Sequence, residues 1–135
     1  MRKCTAMPSR QILIVDRDPS AALITERGLQ RLLGDEVQVA TALSPGMAWL
    51  RCMRGEVDLL IVDPSPPDRA ATALVKALHD EQLQVPVLVL TSYDTPRQRA
   101  QLRALGVEHY LAKPVELLDL VQAVHAALGA GPRSN

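Results

Sequence analysis

One pattern constrains this chain more than any other: a short apolar, β-branched run followed by a helix-length segment, repeated along its length. Gln11 to Val15 is continuous and bounded by Arg10 and Asp16, which suits a strand buried on both faces rather than a half-exposed alternating one. Glu36 to Ala40, Val57 to Val62 and Val85 to Leu90 repeat that character. A further run, Val107 to Leu111, is shorter and more polar, as an edge strand can be.

The intervening segments carry helix start signals. Asp18 stands as an N-cap before Pro19, and Leu23, Arg27 and Leu29 to Leu33 follow at helical spacing, predicting a helix of about fourteen residues. Ser44 with Pro45, and Thr95 with Pro96, give the same signal before the second and fourth helices. Asp68 is expected to open the alanine-rich third. Leu117, Leu118, Val121, Val124 and Leu128 form one stripe of a last helix, Val115 to Leu128, which Gly129, Gly131 and Pro132 terminate.

Strands alternating with helices predict an α/β domain built on a doubly wound, five-stranded parallel sheet, because each right-handed crossover needs a helix. Segment order does not dictate spatial order; 2-1-3-4-5 is adopted as a common arrangement for small sheets of this kind. Functional sites of such sheets lie beyond the carboxyl ends of the strands. That rim selects Asp16 to Asp18, Asp63 to Pro67, Thr91 with Ser92, and Lys113 with Pro114.

Composition narrows the alternatives. A chain of 135 residues accommodates one domain, expected over residues 11–128, with a loose arm over 1–10 and a tail or linker over 129–135. Lys plus Arg equals Asp plus Glu at fifteen each, so no large net charge draws the segment to nucleic acid or an anionic membrane. Its apolar runs are far shorter than the roughly 20 residues that cross a bilayer. Cys4 and Cys52 form neither a disulfide framework nor a metal pair, which fits a reduced, cytoplasmic setting.

With strands one and three adjacent, Asp16 and Asp63 project into one small volume, where each carboxylate raises the other's pKa unless a cation is shared. Lys113 reaches toward it and can neutralise a carboxylate or grip an anion. Thr91 offers a hydroxyl to a phosphoryl oxygen, and Ser92 is small enough to leave room. A carboxylate so flanked can act as a nucleophile toward a phosphorylated donor, forming an acyl phosphate. Singly, each residue has a bland reading: Asp16, Asp18 or Asp63 as a turn former or cap, Thr91 as a core hydroxyl, Lys113 as a solvated strand end. Together on one rim they favour the functional reading.

Over Gln11 to about Leu128 the chain resembles the receiver domains of response regulators, the CheY-like superfamily with a flavodoxin-like fold. The likeness is carried by Ile12-Leu-Ile-Val-Asp16-Arg17-Asp18-Pro19, Asp58-Leu-Leu-Ile-Val-Asp63 with Pro67 four residues on, Pro86-Val-Leu-Val-Leu-Thr91-Ser92, and Gly106-Val-Glu-His-Tyr110-Leu-Ala-Lys113-Pro114. The resemblance implies a bacterial-type module of two-component signal transduction. In it Asp63 would be the phosphoacceptor, Lys113 the phosphate-contacting cation and Thr91 the switch hydroxyl. Tyr110 would be the rotating aromatic coupled to Thr91, and Pro114 would follow a cis peptide bond, an isomer affordable only before proline. The implied partners are a histidine kinase or phosphotransfer protein as donor, and an output domain or partner protein.

The implied magnesium site draws on Asp16, Asp18, Asp63 and Ser65. Such receivers usually carry two consecutive acidic residues after the first strand, the second a direct metal ligand, and Arg17 stands at that position. Trading a carboxylate for a guanidinium removes a hard oxygen ligand and adds a repelling charge, so magnesium binding is expected to be weak or absent. Two arrangements are open: Arg17 swings away and the carboxylates hold a weaker cation, or it folds inward and pairs with Asp63 or Asp16. The second is the expectation for the unmodified protein.

The Pro64-Ser65-Pro66-Pro67 loop, stiff and poor in backbone donors, is a second departure from the family pattern. Three functions follow: a phosphorylatable receiver with reduced metal dependence, a pseudo-receiver that keeps only fold and partner surface, or a different small-molecule or enzymatic use of the same scaffold. No base for a turnover enzyme is evident, since His79, His109 and His125 lie away from the rim. Arg97, Arg99 and Arg103 on the fourth helix, against Glu116 and Asp119 near the fifth, suit either a solvated face or a homodimer contact.

Overall fold

The computed structural model describes residues 9–64 and 69–129. Its elements are β1 (Arg10–Val15), α1 (Pro19–Leu33), β2 (Val37–Thr41), α2 (Pro45–Met53), β3 (Leu59–Val62), α3 (Ala70–Asp80), β4 (Val87–Thr91), α4 (Pro96–Ala104), β5 (His109–Ala112) and α5 (Leu117–Gly129), with a 3-10 turn at Gly34–Glu36 after α1. The five strands form one parallel sheet in the order β2-β1-β3-β4-β5, the expected arrangement.

Strand periodicity divides the apolar runs between two cores. Ile12, Ile14, Leu59, Ile61, Leu88 and Leu90 face Ala22 and Leu29 of α1 and Leu120, Val124, Ala127 and Leu128 of α5. Leu13, Val15, Leu60, Val62 and Val89 face the other side, packing with Ala48 and Cys52 of α2, Ala71, Leu74, Val75 and Leu78 of α3, and Leu102 of α4. Both faces of the central strands are therefore covered, which is why their sequences read as continuous rather than alternating.

Three helices begin as their caps predict. Asp18 accepts hydrogen bonds from the Ser20 and Ala21 amides, Ser44 from Met47, and Thr95 from Gln98, with a proline opening each helix. The expected cap Asp68 lies outside the described residues; Arg69 holds the position before α3 and makes no side-chain capping bond.

Strand limits differ from expectation for identifiable reasons. Arg10, expected in the arm, pairs with Val37 as the first residue of β1. Glu36, expected in β2, belongs to the 3-10 turn. At β3 the Asp58 carboxylate accepts the Gln11 amide at 2.7 Å, so a side chain does what a ladder carbonyl would do. Pro86 lacks the N–H that a ladder needs, and β4 starts after it. Before β5, the Val107 amide is spent on the Leu102 carbonyl in the turn that ends α4, where Gly106 takes φ +91°. The helix expected from Val115 begins at Leu117. Among the described residues no helix is long and apolar enough to cross a membrane.

Candidate functional site

The register of the sheet brings the acidic residues together. Val15 of β1 pairs with Val62 of β3, and the Asp63 amide donates to the Val15 carbonyl at 3.1 Å, so Asp16 and Asp63 leave adjacent strand ends side by side. Their side chains are only 8% and 9% exposed. Lys113 comes from beyond β5, and its amide donates to the Thr91 carbonyl at 2.7 Å, which fixes where its side chain starts. Its Nζ donates to Asp63 Oδ2 at 3.0 Å and to Asp16 Oδ2 at 3.2 Å. The Lys113–Pro114 peptide bond is cis, as expected.

Electrostatics follow from that bridge. Burial pulls the Lys113 ammonium down, but hydrogen bonds and charges from Asp63 and Asp16 outweigh it and hold its pKa above the ordinary lysine value. The lysine is therefore a fixed cation, shared by two carboxylates that would otherwise repel each other at close range.

Thr91 ends β4 and is fully buried. Its hydroxyl oxygen accepts the Tyr93 amide at 3.0 Å, while Ser92, next to it, is exposed. A small cavity under the acidic pair is lined by Ile14, Val15, Asp16, Thr25, Ile61, Asp63 and Leu90. Thr25 of α1 was not singled out from sequence, and nothing in its local pattern marks it.

Tyr110 on β5 is partly buried, and its hydroxyl accepts Gln98 Nε2 at 3.1 Å. Gln98 also donates to the Tyr93 carbonyl at 2.7 Å, and the Arg99 guanidinium sits 4.4 Å from the Tyr110 ring centre while pairing with Asp94 at 2.9 Å. Burial raises the Tyr110 pKa, and the Gln98 hydrogen bond partly offsets it. Gln98 and Asp94 are not among the functional candidates of the sequence, and no local pattern marks them. Arg99, read from sequence as part of an exposed basic face, is committed within the chain.

Other expected site residues fall differently. Asp18 does not turn into the acidic pocket: its carboxylate accepts from the first amides of α1 at 3.0 and 3.3 Å, because four unpaired N–H groups there attract it. Asp16 Oδ1 accepts the Asp18 amide at 2.9 Å, closing the turn that carries Arg17. Arg17 is exposed and pairs with neither Asp16 nor Asp63, contrary to the inward fold expected of it; the cation between the two carboxylates is Lys113. Ser65 and Pro67 lie outside the described residues. His79 and His109 line a depression at the amino-terminal ends of β4 and β5, remote from the acidic pair.

Magnesium demands a near-octahedral set of hard oxygens. Among the described residues no three acidic, histidine or cysteine side chains gather to hold a metal ion. The two carboxylates that do meet already share an ammonium, and Asp18 is occupied as a cap. Among the described residues the strand ends thus offer two carboxylates, Asp16 and Asp63, with Arg17 adding a positive charge beside them.

The chain matches the family model "Response regulator receiver domain" over residues 12–125. It is similar to the transcriptional regulatory protein PrrA of Mycobacterium tuberculosis, 34% identical over 124 residues covering 92% of this chain and 52% of that protein. It is also similar to the transcriptional regulatory protein PcoR of Escherichia coli, 32% identical over 120 residues covering 88% of this chain and 51% of PcoR. It thus spans about half the length of the curated relatives it matches. Among solved structures, a CheY-like receiver domain protein from Methanospirillum hungatei superimposes with a TM-score of 0.76 at 24% identity, covering 90% of this chain and 94% of that one. A parallel sheet of this order, two carboxylates bridged by a lysine at its rim and a family match over most of the length lead to one conclusion: the chain belongs to the receiver domains of two-component response regulators.

Proposed function

We propose that Asp63 accepts a phosphoryl group from a phosphohistidine of a histidine kinase or phosphotransfer protein, with little dependence on magnesium. The observation that carries this reading is Lys113 Nζ, held between Asp63 and Asp16 at 3.0 and 3.2 Å at the carboxyl ends of the strands. An Asp63 oxygen attacks phosphorus, the phosphorus–nitrogen bond of the donor breaks, and the imidazole leaves with the bonding electrons and takes up a proton. Lys113 counters the charge on the phosphoryl oxygens. Thr91, whose oxygen accepts the Tyr93 amide, donates its hydroxyl hydrogen to one of them, and Tyr110 with α4 transmits the change.

An output domain or partner protein then reads the altered surface, in keeping with relatives that are transcriptional regulatory proteins of about twice this length. The setting proposed is cytoplasmic, and Arg97 and Arg103, exposed on α4, remain available to a homodimer contact. The alternative, a pseudo-receiver without phosphotransfer, is favoured by the incomplete donor set for a metal.

Intact mass after exposure to phosphoramidate, in chelator and in magnesium, separates the two readings. The expected result is a gain of one phosphoryl group that hydroxylamine removes, in both buffers. A mass unchanged in both establishes the pseudo-receiver instead.

A further inference from the structure

We propose that Arg17 is a phosphoryl-contacting residue, its guanidinium supplying at the mouth of the site the positive charge that a divalent cation would otherwise bring; this rests on Asp63 being the phosphoacceptor. Charge balance is the first ground. Asp16, Asp63 and Lys113 together leave one net negative charge at the strand ends, facing any incoming phosphoryl group that is itself an anion. Lys113 brings a single positive charge against two carboxylates, so an arriving anion still faces a net negative group. One further cation brings the group to neutrality without a metal.

Placement is the second ground. Arg17 directly follows Asp16, whose strand pairs with that of Asp63 at a spacing of about 4.8 Å, so the long arginine stem starts one residue beyond the position beside the acceptor. Its backbone is held on both sides: Asp16 Oδ1 takes the Asp18 amide at 2.9 Å, and Asp18 is fixed as the cap of α1. The side chain is exposed and paired with no carboxylate among the described residues, so it meets an arriving anion without first breaking an ion pair. By contrast, Arg99 is tied to Asp94 and Tyr110.

Chemistry is the third. A guanidinium presents two parallel N–H groups to two phosphoryl oxygens, remains charged at every working pH, and carries a weaker hydration shell than an ammonium. In the transfer step it binds oxygens that stay on phosphorus throughout, so no bond to it forms or breaks and the balance of the reaction is unchanged.

Labelling rates of the full chain with phosphoramidate, followed by intact mass in chelator and in magnesium, test this with Arg17→Gln and Arg17→Asp. Wild type is expected to label at rates within about threefold in the two buffers, since one cation is built in. Arg17→Gln is expected to label about ten- to a hundredfold more slowly in chelator, with an unchanged melting temperature because the side chain is exposed. Arg17→Asp is expected to be slower still in chelator and to recover with magnesium, a rescue that a purely structural role would not produce. Arg17→Gln labelling at the wild-type rate in chelator overturns the proposal. Wild-type labelling that requires magnesium also overturns it, while leaving Asp63 as acceptor; absence of any adduct in every condition overturns both.

Discussion

In a Lys113→Met variant, phosphoryl transfer to Asp63 is expected to fall about a hundredfold or more, the usual consequence of removing a fixed donor aimed at developing charge. Methionine fills similar space, so the loss is electrostatic rather than steric. The same change leaves Asp16 and Asp63, each less than a tenth exposed, facing one another without their shared ammonium. Breaking a buried pair costs about 3 to 5 kcal/mol, and with Lys113 24% exposed about 2 kcal/mol is expected at neutral pH.

The pH dependence has the same sign in the two proteins but falls in different pH windows. In wild type the folded Lys113 pKa is raised, so its contribution is fully present below the ordinary lysine value of 10.5 and is lost only as pH climbs through the higher folded value. In the variant the two carboxylates face each other without a cation, and protonating either one removes the repulsion. That penalty is present at neutral pH and is relieved as acid protonates a carboxylate. Thermal melts from about pH 5 to pH 9 check this: wild type is expected to hold its margin over the variant at the upper end, and the gap to narrow at the lower.

Asp63→Asn should abolish labelling, a loss of at least about a thousandfold, because an amide oxygen is no nucleophile toward phosphorus at neutral pH. Stability should scarcely change, within about 1 kcal/mol. The amide occupies the same space, Lys113 keeps its bond to Asp16 at 3.2 Å, and one of two crowded negative charges disappears. Intact mass and a melting curve on one sample separate loss of chemistry from loss of fold. A variant that still gains the phosphoryl group would move the acceptor elsewhere.

How much of this was legible in the amino-acid chain depended on whether local chemistry decided the outcome. Apolar runs such as Leu59 to Val62 marked buried parallel strands, and Ser44-Pro45 and Thr95-Pro96 marked helix starts, because those signals act over a few residues. Strand ends were missed where one backbone group was already committed, as with Pro86 and with the amide of Val107. At the site, the rim rule for parallel sheets picked Asp16, Asp63, Thr91 and Lys113 before any distance was known, and the register brings both aspartates to one ammonium.

Side-chain direction was not legible. Asp18 was assigned both to a helix cap and to the acidic pocket, and the free amides of α1 claimed it. Arg17 was expected to fold onto an aspartate, but a lysine arriving from 97 residues away reached Asp16 instead. The Gln98, Tyr110 and Arg99 cluster depends on α4 packing beside β5, which no spacing within either segment encodes.

The most direct measurement of the central claim locates the modified atom. After treatment with phosphoramidate, borohydride reduces an acyl phosphate to the alcohol, turning an aspartyl phosphate into homoserine, and peptide mapping then finds the position. Homoserine at position 63 and at no other is the predicted result. Homoserine elsewhere, or a phosphoryl group that withstands borohydride because it sits on serine, threonine or histidine, contradicts the account.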